Sequence, residues 1–147
     1  LKGGHGGALA PRFATNFFGH ILNEATMAQY EHLPIYRKAF EMVVYFENIV
    51  RNFSRYHKYT LGADLRKQSR NIVGLIVRAN NRPDRLETLL ALREALEELK
   101  LTIRVCKEVR AFNNFNSFEV AINGVIDISK QNEGWIKSVS RKRADTA

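Results

Sequence analysis

The stretch from Pro83 to Arg110 contains no glycine and, after its first residue, no proline. It is built almost entirely from strong helix formers. Within it Leu89, Leu92, Leu96, Leu99, Ile103 and Cys106 follow one another in alternating steps of three and four, which puts all six on one side of an α-helix. Pro83 suits the first helical position, where a missing N–H costs nothing, and Asp84 and Glu87 complement the positive end of the helix dipole. Arg104, Lys107 and Arg110 stand at the negative end. A helix with so narrow an apolar seam is marginal alone in water and needs partners to cover it. The rest of the chain has to supply them.

Three further stretches repeat the spacing. From about Pro34 to Ser54, the residues Ile35, Ala39, Met42, Phe46, Ile49 and Phe53 alternate in steps of four and three. From Leu61 to Asn80 the seam is Leu65, Ser69, Ile72, Ile76 and Ala79. Val73, Leu75 and Val77 make this second helix apolar round much of its circumference, a mark of burial on more than one side. Asn116 reads as the cap of a fourth helix, with Glu119 reaching back to complete a capping box. That helix runs to about Val139 on Phe118, Ala121, Val125, Ile128, Asn132, Trp135 and Val139. Asn132 is polar on its seam and is expected near an open end or hydrogen-bonded; Trp135 is expected to close the core. The third helix carries a second apolar set, Leu90, Leu101 and Val105, roughly opposite its seam. With Val73 and Val77, these are the candidates for contact between subunits.

The connections are short. Arg55 to Thr60, RYHKYT, reads either as a solvated turn or as a place where phosphates meet Arg55, His57 and Lys58 while Tyr56 or Tyr59 stacks on a base. Asn80, Asn81 and Arg82 turn the chain, and an Asn- and Phe-rich loop follows at 111–116. No strand-like alternation and no repeat of solenoid period occurs. The expectation is an all-α fold, an antiparallel up-down four-helix bundle over residues 27–143. Residues 1–26, with Gly on both sides of His5 and then Pro11, are expected to be a flexible leader, a tag remnant or an upstream extension ahead of Met27. The basic end of the chain from Ser140, including 144–147 beyond the domain, is expected to fray.

A chain of 147 residues suffices for one domain with a real core. With 45% hydrophobic residues it is globular rather than disordered, and no apolar run approaches the roughly 20 residues of a membrane-spanning helix. The formal charge of +8 points to an anionic partner, of which nucleic acid is the commonest. Basic residues outside the seams are the candidate contacts. They are Arg37 and Arg51 on the first helix, Arg55 and Lys58 in the loop after it, Lys67, Arg70 and Arg78 in a stripe on the second, and Arg141, Lys142 and Arg143 in the tail. The only cysteine, Cys106, lies on the seam without an intrachain partner, which suits a reducing cytoplasm.

Catalytic chemistry is hard to assemble from these residues. His5, His20, His32 and His57 are not paired at metal-ligand spacing. Glu94, Glu97 and Glu98 read as a solvated salt-bridge face beside Arg93 and Lys100. There is no Glu-x-x-His pair of the di-iron bundles, no glycine-rich phosphate loop with its lysine and no G-x-S-x-G. The chain is expected to be no enzyme and to need neither metal nor cofactor.

The segments IYRKAFEMVVYFENIV, LGADLRKQSRNIVGLIVRA, LREALEELKLTIRVCKEVRAF and the closing GWIKSVSRKR resemble the accessory variability determinant (Avd) family of diversity-generating retroelements. That family is close in pattern to the four-helix-bundle proteins of 23S ribosomal RNA intervening sequences; GWIKS and the basic excess favour the retroelement branch. The resemblance covers about Leu33 to Arg143. It implies a barrel-like homopentamer of four-helix protomers. It further implies association with the element's reverse transcriptase and with nucleic acid, template RNA included, in support of mutagenic retrohoming, without polymerase activity of its own. The alternatives are an intervening-sequence-type bundle of unassigned function and a helical scaffold that binds no nucleic acid.

Overall fold

Four long helices and one single helical turn make up the bundle in a computed structural model that describes residues 30–146. The expectations about residues 1–26 lie outside the described residues. The chain divides into two compact units, Leu1–Leu33 and Pro34–Ala147. Of the first only the closing turn is described, where the N–H of Leu33 donates to the carbonyl of Tyr30 at 2.9 Å. The second comprises α1 (Pro34–Val50), the turn α2 (Arg55–Lys58), α3 (Leu61–Asn81), α4 (Leu86–Glu108) and α5 (Phe115–Thr146). Among the described residues there is no strand. The long helices form a ring in the order α1, α3, α4, α5, each packed against the two that flank it. Successive neighbours joined by short connections make this an up-down bundle.

The seams bury as their spacing requires. All six residues of the α4 seam are inaccessible or nearly so, as are Leu65, Ser69, Ile72, Ile76 and Ala79 on α3. Truncating one of these leucines to alanine costs about 2–5 kcal/mol in a core of this kind. Two seams drift. On α1 the buried set passes from Phe46 to Val50, leaving Ile49 half-buried; on α5 it passes from Asn132 to Ile136, leaving Trp135 and Val139 half-buried. A helix of 3.6 residues per turn slips against a strict three–four alternation, and a step of four restores it. Trp135 therefore flanks the core instead of closing it. Asn132 is fully buried; its Nδ2 donates to the Leu89 carbonyl at 3.2 Å and ties α5 to α4, while its Oδ1 takes no protein partner.

Local chemistry sets the helix ends, and here the structure corrects the expected boundaries. Pro83 does not open α4. It holds Arg82 in extended backbone (φ −105°, ψ 144°), as a residue before proline prefers, and α4 starts three residues later, at Leu86. The cap of α5 is Asn114, not Asn116: its Oδ1 accepts from the N–H of Ser117 at 2.8 Å and from the Ser117 hydroxyl at 3.1 Å. The α4 helix closes where the N–H of Ala111 reaches Cys106 O at 2.8 Å and that of Arg110 reaches Lys107 O at 3.1 Å. This closure places Arg110 at φ 60°, a left-handed position usually filled by glycine. α5 runs on through the stretch expected to fray, as far as Thr146.

Burial pushes the Cys106 thiol up to about 12, with the carboxylate of Asp64 adding to the shift. The thiol is fully enclosed, so thiolate chemistry is shut off near neutrality. In the unfolded chain the thiol ionises near pH ~8.5, whereas in the fold it stays protonated. Its contribution to stability is thus complete below that pH and is lost as the pH rises above it. Alkylating reagent at mildly alkaline pH is expected to leave the native protein unlabelled and to modify Cys106 once denaturant is added. Rapid labelling without denaturant would contradict the buried position.

Candidate nucleic-acid interface

The bundle has two ends. The connections 51–60 and 109–114 meet at one, where the rings of Phe53 and Phe112 pack edge to face with centroids 5.8 Å apart. The start of α1, the α3–α4 turn and the end of α5 lie at the other. The basic residues singled out by sequence do not converge on one patch. Arg51, Arg55 and Lys58 belong to the first end, Arg37, Arg141, Lys142 and Arg143 to the second, and Lys67 and Arg78 run between them along the outer side of α3.

Pairing separates cations that their spacing made equivalent. Glu47 of α1 takes two arginines of α3, Arg66 Nε at 3.1 Å and Arg70 Nη1 at 2.9 Å. Arg70 is therefore tied across to α1 while its side chain stays 56% exposed, unlike Lys67 and Arg78 of the same stripe, which are unpaired among the described residues. Arg143 lies 4.0 Å from Asp84. By contrast Arg51, Arg55, Lys58, Lys67, Arg78, Arg141 and Lys142 enter no ion pair among the described residues. The expected glutamate face on α4 is only partly local: Lys100 meets Glu97 at 2.8 Å, but Arg93 reaches across to Glu133 of α5, two bonds of 2.9 and 2.7 Å.

Sequence reasoning passed over two further cationic sets. Lys130 and Lys137 fall on the outer face of α5, seven residues apart and in line with the already named Arg141 four residues further on, a helical spacing that was open to inspection. Arg104, Lys107 and Arg110, first read only as complements of the α4 dipole, are exposed. Lys107 Nζ lies 5.0 Å from the ring centre of Phe118 and 5.9 Å from that of Phe115, a contact that leaves its charge outward.

Apolar surface is left over on two opposite edges of the ring. On the α1–α3 edge Phe40 is 50% and Val44 45% exposed, with Tyr36 stacked on Phe40 and Val73 and Val77 half-buried on α3. Toward the α4–α5 edge Leu101 is 64% exposed, above a groove floored by Phe118, Ile122 and Ile126. Leu90 and Val105 are exposed on the outer side of α4. No helix among the described residues is long and apolar enough to cross a membrane, and no three His, Cys, Asp or Glu side chains among them gather to hold a metal ion.

A family model described as bAvd-like matches residues 33–139. The chain belongs to that family. The match takes in α1 to α4 and α5 through its buried part, and stops short of Arg141, Lys142 and Arg143. No curated protein and no solved structure matches significantly. What the bAvd-like family shares with this chain is thus the bundle, with the basic end of α5 lying beyond the matched span.

The hydrogen bonds from Arg93 hold the Glu133 carboxyl below the usual carboxylate range, with smaller help from the charges of Arg93, Lys100 and Lys137. A depressed folded-state value means that the pair stabilises the fold above the ordinary glutamate pKa and that this is lost as the pH falls. Arg93→Ala is expected to return Glu133 toward the ordinary range in a carboxyl NMR titration, with little change in stability because the pair is exposed. An unmoved Glu133 would show that another group sets its charge.

Proposed function

We propose that this chain is a non-catalytic accessory protein of a diversity-generating retroelement. On this reading it binds nucleic acid, template RNA included, and the reverse transcriptase, and supports mutagenic retrohoming in the cytoplasm. Membership of the bAvd-like family supports the retroelement setting. The observation that carries nucleic-acid binding is the distribution of unpaired, exposed cations over both ends and along the outer sides of α3 and α5. Cations dispersed in this way contact phosphates without reading base edges, since no helix among the described residues stands apart from the bundle to enter a groove. Affinity then depends on counterion release and falls with salt, by about 0.7 to 0.9 in log–log slope for each phosphate neutralised.

The same reading includes a homopentamer, the number coming from the family resemblance. The two leftover apolar edges differ in sequence and lie on opposite sides of the protomer. A two-fold dimer needs one self-complementary patch, whereas two unlike patches suit head-to-tail closure into a ring. Each added copy repeats the cationic stripes and raises avidity where one nucleic acid spans neighbours.

Two measurements test this. Lys67→Gln with Arg78→Gln is expected to weaken binding to unrelated sequences alike and to lower the salt slope by about 1 to 2, with an unchanged helical circular dichroism spectrum. Undiminished binding at low and moderate salt would remove α3 from the interface. By light scattering after size exclusion the parent is expected as a pentamer, and Leu101→Glu as smaller species. A monomeric parent at micromolar concentration would sink the ring. Co-purification with the reverse transcriptase after nuclease treatment tests the protein contact separately.

A further inference from the structure

The end of the bundle where α2 sits carries more than charge. Tyr56 is 78% and Tyr59 72% exposed, although each offers a ring large enough to be buried elsewhere. Tyr56 lies within the turn and Tyr59, three residues on, is its C-terminal cap, a spacing at which side chains of a helical turn are neighbours. The turn is held in place. Ser54 Oγ accepts from the His57 N–H, and the Thr60 hydroxyl donates to the Tyr56 carbonyl at 3.0 Å. Gly62 lets α3 pass beneath: a Cβ there would lie 2.6 Å from Val50 Cγ1 and 3.2 Å from the His57 carbonyl oxygen. Around the two tyrosines stand Arg51, Arg55 and Lys58 from the same connection. Arg110 stands on the facing connection, which the Phe53–Phe112 contact joins to this one, and Lys107 lies in the last turn of α4 with its ammonium over Phe115 and Phe118. None of these five enters an ion pair among the described residues, while the acids of this end are Asp64, Glu108 and Glu119. Arg110 keeps its cation in a left-handed backbone position that glycine fills more easily.

Resting on the nucleic-acid reading above, we propose that this end is a platform for single-stranded nucleic acid, with unpaired bases stacked on Tyr56 and Tyr59 and the backbone held by the surrounding cations. Exposed rings interleaved with free cations favour an unpaired strand over a duplex: a single strand offers base faces to the rings, whereas a duplex keeps its bases stacked on each other. They also favour it over an acidic protein surface, which would satisfy the cations and leave the rings without a matching face.

The test compares an unstructured oligoribonucleotide, its deoxy counterpart and a blunt duplex of the same sequence, each binding the full chain by fluorescence anisotropy. Tyr56→Leu with Tyr59→Leu is expected to weaken both single strands by about tenfold or more, leave the duplex nearly unchanged, and keep the oligomer intact. Tyr56→Phe with Tyr59→Phe is expected to retain binding, since the rings remain. Arg110→Gly is expected to resist urea better than the parent yet bind the single strands less tightly. Equal losses on single strand and duplex, or no loss on the single strands, would overturn the platform while leaving nucleic-acid binding in place. Failure of the parent to bind any of the three probes would overturn both readings. Loss of reverse-transcriptase association with unaltered single-strand affinity would make the tyrosines a protein contact and also overturn the platform.

Discussion

Burial of the α4 seam governs the arrangement of the other helices. Leu89, Leu92, Leu96, Leu99, Ile103 and Cys106 are all closed off from water, and α4 achieves this by leaning on both α3 and α5. Each of those then needs its own second neighbour, and α1 serves for both. The polar contact within this interior is consistent with the same geometry: Asn132 reaches the carbonyl of Leu89, the first residue of the seam, so one hydrogen bond marks the register of α5 on α4. Side chains with their polar atoms turned into the core restrict sliding more than apolar ones do, because a slip leaves them without a partner.

Much of this was legible in the sequence because helical periodicity is a property of many residues at once. An error at one position, such as Ile49 for Val50 or Trp135 for Ile136, leaves the seam recognisable. Helix ends rest on one or two residues and were read less well. Asn116 with Glu119 imitates a capping box, yet Asn114 two residues earlier has the same side chain and takes the role. Pro83 can open a helix or hold its predecessor extended, and the extended Arg82 shows which was realised.

The cationic surface was legible in identity but not in availability. Lys67, Arg70 and Arg78 share a stripe on a helical wheel, and only the neighbouring helix reveals that Glu47 engages Arg70. The same limit hid that the connections carrying Arg55 and Lys58 and carrying Arg110, distant in sequence, are joined by the Phe53–Phe112 contact. The split between exposed and paired charge is a tertiary property, set by which helices are adjacent in the ring.

The length of α5 has a mechanical consequence. It is 32 residues long against 17 for α1, and from Ser140 to Thr146 every residue is exposed. Those last turns are held by their own backbone bonds, the Thr146 hydroxyl's bonds to the carbonyls of Lys142 and Arg143 and one exposed ion pair, Arg143 to Asp84, and terminal turns without core packing open at little cost in free energy. As helix the seven residues 140–146 span about 10 Å, and as extended chain about 23 Å. Arg141, Lys142 and Arg143 thus sit on a segment whose reach is adjustable over roughly a factor of two, so the distance of these three cations from the bundle is not fixed by the packing of the core.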